Sequence, residues 1–156
     1  MKEVFSVKRK KTIAMSILPI LFLTVFSGCS DGSAIRLANE LTFETGGLQE
    51  ITIAYDEENI TFHEGEQNTL VIKEYMNKGE TKYHARVTER ADSIHISEGA
   101  KPAFPGNFQR YIEVCLPALY QETVNVATTS GTVDCSGIGI TLQTLNARTT
   151  SGLVKL

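Results

Sequence analysis

The chain has 156 residues, 42% hydrophobic and 21% charged, which suits one globular domain and excludes a disordered polymer. Its net charge of −3 hides an asymmetry, because Lys2, Lys8, Arg9, Lys10 and Lys11 all precede residue 12. Without residues 1–28 the chain carries 10 basic and 17 acidic side chains, net −7, which argues against nucleic-acid binding and against attraction to anionic membranes.

Residues 1–28 read as an address. A basic start is followed by an almost wholly apolar run, Ile13 to Phe26, and then by Ser27-Gly28-Cys29. That order is the one used by secretory signals, and the run is shorter than the roughly 20 residues a membrane-spanning helix takes. Small residues directly before a cysteine resemble the lipobox of bacterial lipoproteins. That resemblance implies cleavage before Cys29, lipid on its thiol, and a protein held on the outer face of the cell membrane. Phe26 stands where an aliphatic residue is usual. The alternative is an uncleaved anchor or an ordinary signal. Residues 29–47 are expected to be a tether, with the folded domain over 48–156.

Short strand patterns follow. Ile51, Ile53 and Tyr55 alternate with polar residues, and Asp56-Glu57-Glu58-Asn59 is a turn before Ile60-Thr61-Phe62. Leu70-Val71-Ile72, Tyr83 to Val87 and Ser93 to Ser97 continue the pattern between polar turns. Such strands suit an antiparallel sheet with one wet face. Lys101-Pro102-Ala103-Phe104-Pro105-Gly106-Asn107 is a loop, because prolines remove ladder donors. Arg110 to Leu116 is a further strand ended by Pro117. No helical period occurs after the signal, so the expected class is all-β.

Thr128-Thr129-Ser130-Gly131 returns 21 residues later as Thr149-Thr150-Ser151-Gly152. The apolar residues change parity at each corner of this repeat. Val124 and Val126 are even, Val133 and Cys135 odd, Ile138, Ile140 and Leu142 even, and Leu145 and Ala147 odd. Side chains alternate faces along a strand, so each change needs a corner or a tight turn. Three changes per 21 residues predict a three-sided β-solenoid coil, with Thr128 stacked on Thr149 and Asn125 on Asn146. A meander of hairpins would switch parity as well. Leu156 falls partway into the second copy, so the expectation is a repeat truncated at its C-terminus, or an edge strand open to self-association.

The strand ending Val114-Cys115-Leu116-Pro117 and the Thr-Thr-Ser-Gly-x-Val units at Thr128 to Val133 and Thr149 to Val154 resemble a bacterial adhesin-type β-strand-repeat family that includes the LiaG-type proteins of Gram-positive envelopes. The resemblance implies a solenoid-like fold outside the membrane, with no catalytic residues and no cofactor. Members run on through more repeats than this chain has.

Chemistry-bearing residues are sparse. Cys115 and Cys135 are either a disulfide pair, which an exported protein can form, or two separate core or free thiols. His63, His84 and His95 lack the fixed spacing of metal ligands. Asp134-Cys135 beside a distant histidine has the residue types of a nucleophile site, but the parity of Cys135 is that of a core residue. The acidic turn Asp56 to Asn59 offers oxygens to calcium or is simply solvated. The reading that results is a non-catalytic, lipid-anchored surface module contacting a protein or cell-wall ligand. The alternatives are an exported polysaccharide-active enzyme and a non-functional fragment.

Overall fold

A computed structural model describes residues 34–156, and the signal segment and Cys29 lie outside them. Eleven strands form among the described residues. They are β1 Arg36–Glu44, β2 Glu50–Ala54, β3 Asn59–Gly65, β4 Thr69–Met76, β5 Arg86–Glu89, β6 Ser93–Ser97, β7 Arg110–Pro117, β8 Thr123–Thr128, β9 Thr132–Asp134, β10 Thr144–Thr149 and β11 Leu153–Lys155. Residues 36–44, expected to belong to the tether, are therefore a strand.

The strands make two sheets, ordered β1-β4-β7-β3-β9-β11 and β10-β8-β2-β6-β5. Strands β6, β2, β8 and β10 pair in parallel, and so do β7, β3, β9 and β11. Each pair of chain neighbours, such as β2 then β3, places one strand in each sheet. These pairs are four stacked coils of a β-solenoid-like repeat. Strands β1, β4 and β5 pair antiparallel and cap the first coil. The antiparallel expectation thus holds for the caps, while β2, β3, β6 and β7 run parallel. An alternating pattern reports which face is buried and is silent on the direction of the neighbouring strand.

Space and sequence disagree on coil order. The β2–β3 coil lies between β6–β7 and β8–β9, although it comes first in the chain. It pairs with β8 at an offset of 73 residues, Ile51 against Val124. Here Asp56-Glu57-Glu58 takes the place that Thr129-Ser130-Gly131 takes one coil on, so no repeated string betrays the repeat.

The inner faces pack as the parity count requires. Ile51, Ile53, Ile94, Ile96, Val124 and Val126 are buried against Ile60, Phe62, Ile112, Val114, Leu116 and Val133 from the other sheet. Leu145, Ala147 and Val154 of the outermost coil are half-buried, because only one coil covers them. The third side, between Asp134 and Thr144, forms no strand, yet Ile138, Ile140 and Leu142 pack on the core.

The Thr-Thr-Ser-Gly corner is a stacking device. Thr129 and Ser130 donate their backbone N–H groups to the Asp56 carbonyl, and Thr150 and Ser151 donate theirs to the Thr129 carbonyl. The Thr128 hydroxyl donates to the Asp56 carbonyl at 2.9 Å and accepts from the Gly131 N–H at 3.2 Å. Thr149 accepts from the Gly152 N–H in the same way at 3.0 Å. A Cβ on Gly131 would stand 1.9 Å from the Glu58 carbonyl oxygen, and one on Gly152 would stand 1.9 Å from that of Gly131. Neither glycine has a positive φ, so close approach of the next coil, and not backbone freedom, selects glycine here.

Gly131→Ala is therefore expected to cost about 3 kcal/mol, the upper end of overpacking penalties, because the obstructing atom is backbone and cannot rotate away. Gly106→Ala, where nothing lies within 4 Å, should change stability by less than about 0.5 kcal/mol. Urea unfolding of the two variants measures the difference.

Candidate functional site

At one end of the sandwich the four corners line up in columns. The position before the corner is Glu98, Tyr55, Thr128 and Thr149 in successive coils, and the position after it is Arg110, Glu58, Gly131 and Gly152. The first two coils thus replace threonine by Glu98 and Tyr55 and glycine by the charged Arg110 and Glu58. The first corner is also longer. The register offset grows from 43 residues at Ile51 and Ile94 to 52 at Ile60 and Ile112, so nine additional residues loop out between β6 and β7.

The base of this loop is pinned. Gly99 lies so close to the Tyr83 and His84 carbonyls that a Cβ would be 2.1 Å from the His84 oxygen. Ala100 donates its N–H to the Lys82 carbonyl. A single 3-10 turn, Pro105–Asn107, returns the chain to β7, and the Asn77 side chain accepts from the Gln109 N–H at 3.0 Å.

Beneath the loop sits a charged cluster built on Arg110, whose side chain is wholly buried. Its guanidinium donates to Glu58 Oε1 at 2.6 and 3.1 Å, to Glu98 Oε2 at 2.8 Å and to the Tyr83 carbonyl at 2.9 Å. It also lies 5.4 Å from the ring centroids of both Tyr55 and Phe108. The second oxygen of Glu58 accepts the N–H groups of Asp56 and Glu57. Lys101, from the loop, reaches Asp56 at 3.2 Å, Glu57 at 3.6 Å and Glu98 at 3.7 Å. Glu74 is buried deeper, and its carboxylate accepts from the Tyr55 hydroxyl at 3.1 Å, the Asn39 amide at 2.7 Å and the Ala85 N–H at 2.7 Å. Three elements are thereby tied to one buried carboxylate, which satisfies the rule that interior charge must be fully hydrogen-bonded. An open cleft of about 340 Å³ borders the cluster, lined among others by Ile35, Glu57, Lys101, Pro105 and Phe108.

The acids titrate apart. Burial would raise the Glu58 carboxyl, but the Arg110 charge and its hydrogen bonds draw it below the usual glutamate range. Burial raises Glu98 above that range, and the neighbouring Glu58 charge adds to the effect. Burial, then Glu74, pushes the Tyr55 phenol far up.

The residues singled out in the sequence are scattered. Cys115 is half-exposed on the outer face of β7, opposite His63 of β3, while Cys135 is buried in the core after β9. Both are free thiols, since they point to opposite sides of one sheet. Burial raises the Cys115 thiol and pushes that of Cys135 up to about 11. His63 and His95 are on outer faces of different sheets, and His84 follows the 3-10 turn Thr81–Tyr83. Among the described residues no group of three or more His, Cys, Asp or Glu side chains could hold a metal ion. Asp134 pairs with Lys155 at 3.1 Å across neighbouring coils and has no histidine partner. The acidic turn Asp56 to Asn59 is engaged by Lys101 and Arg110. The Arg110 cluster went unseen in the sequence, because its members are spread from Tyr55 to Arg110 and meet only when coils stack out of order.

The outer face of the five-stranded sheet carries a polar row, with a cleft of about 260 Å³ beside Thr52, Thr88 and His95. Asn146, Asn125, Thr52, His95 and Thr88 form one row across all five strands. The Asn146 amide donates to Asn125 Oδ1 at 2.8 Å, the stacked ladder expected from the repeat.

A family model for Toastrack DUF4097 matches residues 48–156, the span of the parallel coils. The chain belongs to the Toastrack DUF4097 family. A crystal structure of a "putative cell adhesion protein" from Clostridium sporogenes is similar in fold, with a TM-score of 0.52 at 15% identity. The match covers 74% of this chain and 58% of that one, so the Toastrack chain here spans little more than half the length of its structural neighbour. No curated protein sequence matches it.

Three outcomes are expected. Glu98 holds its proton more tightly in the native state, so its contribution to stability falls as pH rises from the unfolded glutamate value through the raised native one; Glu58 contributes above the unfolded value and loses this as pH falls through its depressed one. Thermal melts across pH 3–8 should then show Glu98→Gln abolishing part of the decline on the neutral side. Glu58→Gln should cost about 3 kcal/mol at neutral pH by leaving Arg110 with one carboxylate. Separately, native alkylation mapped by mass spectrometry should modify Cys115 about tenfold faster than Cys135, the two converging in denaturant.

Proposed function

We propose that this Toastrack protein is a non-catalytic surface module, lipid-anchored through Cys29 on the outside of the cell membrane of a Gram-positive-type envelope, that contacts a protein or cell-wall polymer. The observation that carries the reading is the row Asn146, Asn125, Thr52, His95 and Thr88, which repeats amide, hydroxyl and imidazole groups at about the 4.8 Å strand spacing. An extended partner can meet such a row with successive hydrogen bonds, one from each strand. The lipobox-like Ser27-Gly28-Cys29 supports the anchoring, and the cell-adhesion name of the structural neighbour and the LiaG-type resemblance of the repeat both fit an envelope role. Adhesion, envelope-stress sensing and edge-to-edge self-association through β10 or β11 are uses of the same scaffold.

The anchoring is tested by fractionating cells that express the wild type and Cys29→Ala. The wild type should sediment with membranes at its processed, lipidated mass, and the variant should not; a variant still processed and membrane-bound would sink the lipid reading. The contact face is tested by retention on isolated cell envelopes, where the double variant Thr52→Lys, Asn125→Arg is expected to bind about tenfold less. Turnover of envelope glycans by the purified protein would favour the enzyme instead.

A further inference from the structure

The loop over the Arg110 cluster ends in a large side chain that the fold leaves bare. Phe104 is 89% exposed, the most exposed large hydrophobic residue of the described chain. It stands between Pro102 and Pro105, whose rings restrict the loop. Below it, Gly99, Ala100 and Lys101 are held by the contacts already described, and Phe108 packs against Tyr83 at 5.3 Å. The loop therefore presents a bare aromatic ring to solvent on a base that is held in place.

The same end carries the start of the domain. Arg36 of β1 pairs with Met76 at the end of β4, and Asn77 next to it accepts from Gln109 beside the loop. Ile35, 40% exposed, lines the cleft that Pro105 also lines, and Leu37 is 46% exposed. From Cys29 to Ala34 is five residue steps, about 17 Å at full extension. An acyl chain on Cys29, or an uncleaved apolar segment ending at Phe26, therefore keeps this end within a short reach of the bilayer. Tethering raises the effective concentration of lipid at the loop, so one aromatic side chain can stay engaged although an acidic domain would not bind the surface unaided.

We propose that the loop tip at Phe104, with Ile35 and Leu37, rests in the interface of the membrane that holds the N-terminus, so that the solenoid stands with its strands running away from the bilayer. This rests on the membrane-anchored reading of the N-terminus. It also assigns the charged cluster a place, because Lys101 and Arg110 fix the loop that makes the contact. The opposite end, marked by Leu119 at 60% exposure beyond β7, would face outward.

The test places a photo-crosslinking residue in the full-length protein in intact cell membranes, as Phe104→benzoylphenylalanine and, for comparison, Leu119→benzoylphenylalanine. After irradiation the tryptic peptide spanning each site is analysed for phospholipid adducts, and each protein is first assigned to the membrane or the soluble fraction. The expected result is a membrane-bound protein with at least about tenfold more lipid adduct at 104 than at 119. A membrane-bound protein with equal adducts at the two sites, or with site 104 joined to another protein instead, overturns the orientation and leaves the anchoring intact. Recovery of the chain in the soluble fraction overturns both.

Discussion

Close approach between neighbouring coils at the corner is the constraint on which this molecule depends. Parallel strands stack at about 4.8 Å only if nothing projects between the turns that join them. Gly131 and Gly152 meet that condition by having no Cβ, and the flanking Thr128 and Thr149 hydroxyls absorb the backbone groups that the turn leaves over. With the corners closed, the two sheets fall opposite each other and their inward isoleucines and valines meet. The hydrophobic core is thus a consequence of a backbone contact at its rim.

The first two coils solve the same corner by other means. Glu98 and Arg110, then Tyr55 and Glu58, occupy the columns that threonine and glycine occupy later. A buried guanidinium held by two carboxylates and a carbonyl is costly to desolvate, so its use here is best understood as registry. It joins β2, β3, β6, β7 and the 3-10 turn after β4, segments that the chain order alone would not bring together. It also supports the one corner that has been lengthened into a loop. Charge at the rim and exposure at the loop tip are two parts of one arrangement.

Position along the strands separates the surfaces. The polar row lies on a sheet face and repeats from coil to coil. The loop lies at the strand ends beside the start of β1. The two surfaces therefore share no residues.

Much of this was legible in the sequence. The parity of Val124, Val126, Val133, Cys135 and Leu145 determined which residues face inward, and the Thr-Thr-Ser-Gly recurrence favoured Thr128 over Thr149 and Asn125 over Asn146. Parity is a local consequence of strand geometry, so it survives without knowledge of the neighbours, but it left a hairpin meander open as well, and the parallel pairing of β8 with β10 decided for stacking. The tertiary structure alone decided that β2–β3 is itself a coil, that it lies between two coils that come later in the chain, and that β1 is a strand and not tether. It alone brought Arg110 to Glu58 and Glu98, and set Cys115 and Cys135 on opposite faces of a sheet. Those are relations between segments as little as 12 residues apart, as for Glu98 and Arg110, and as much as 73 apart, as for Ile51 and Val124, and they arise from which edges pair, a choice that no pattern within a single strand encodes.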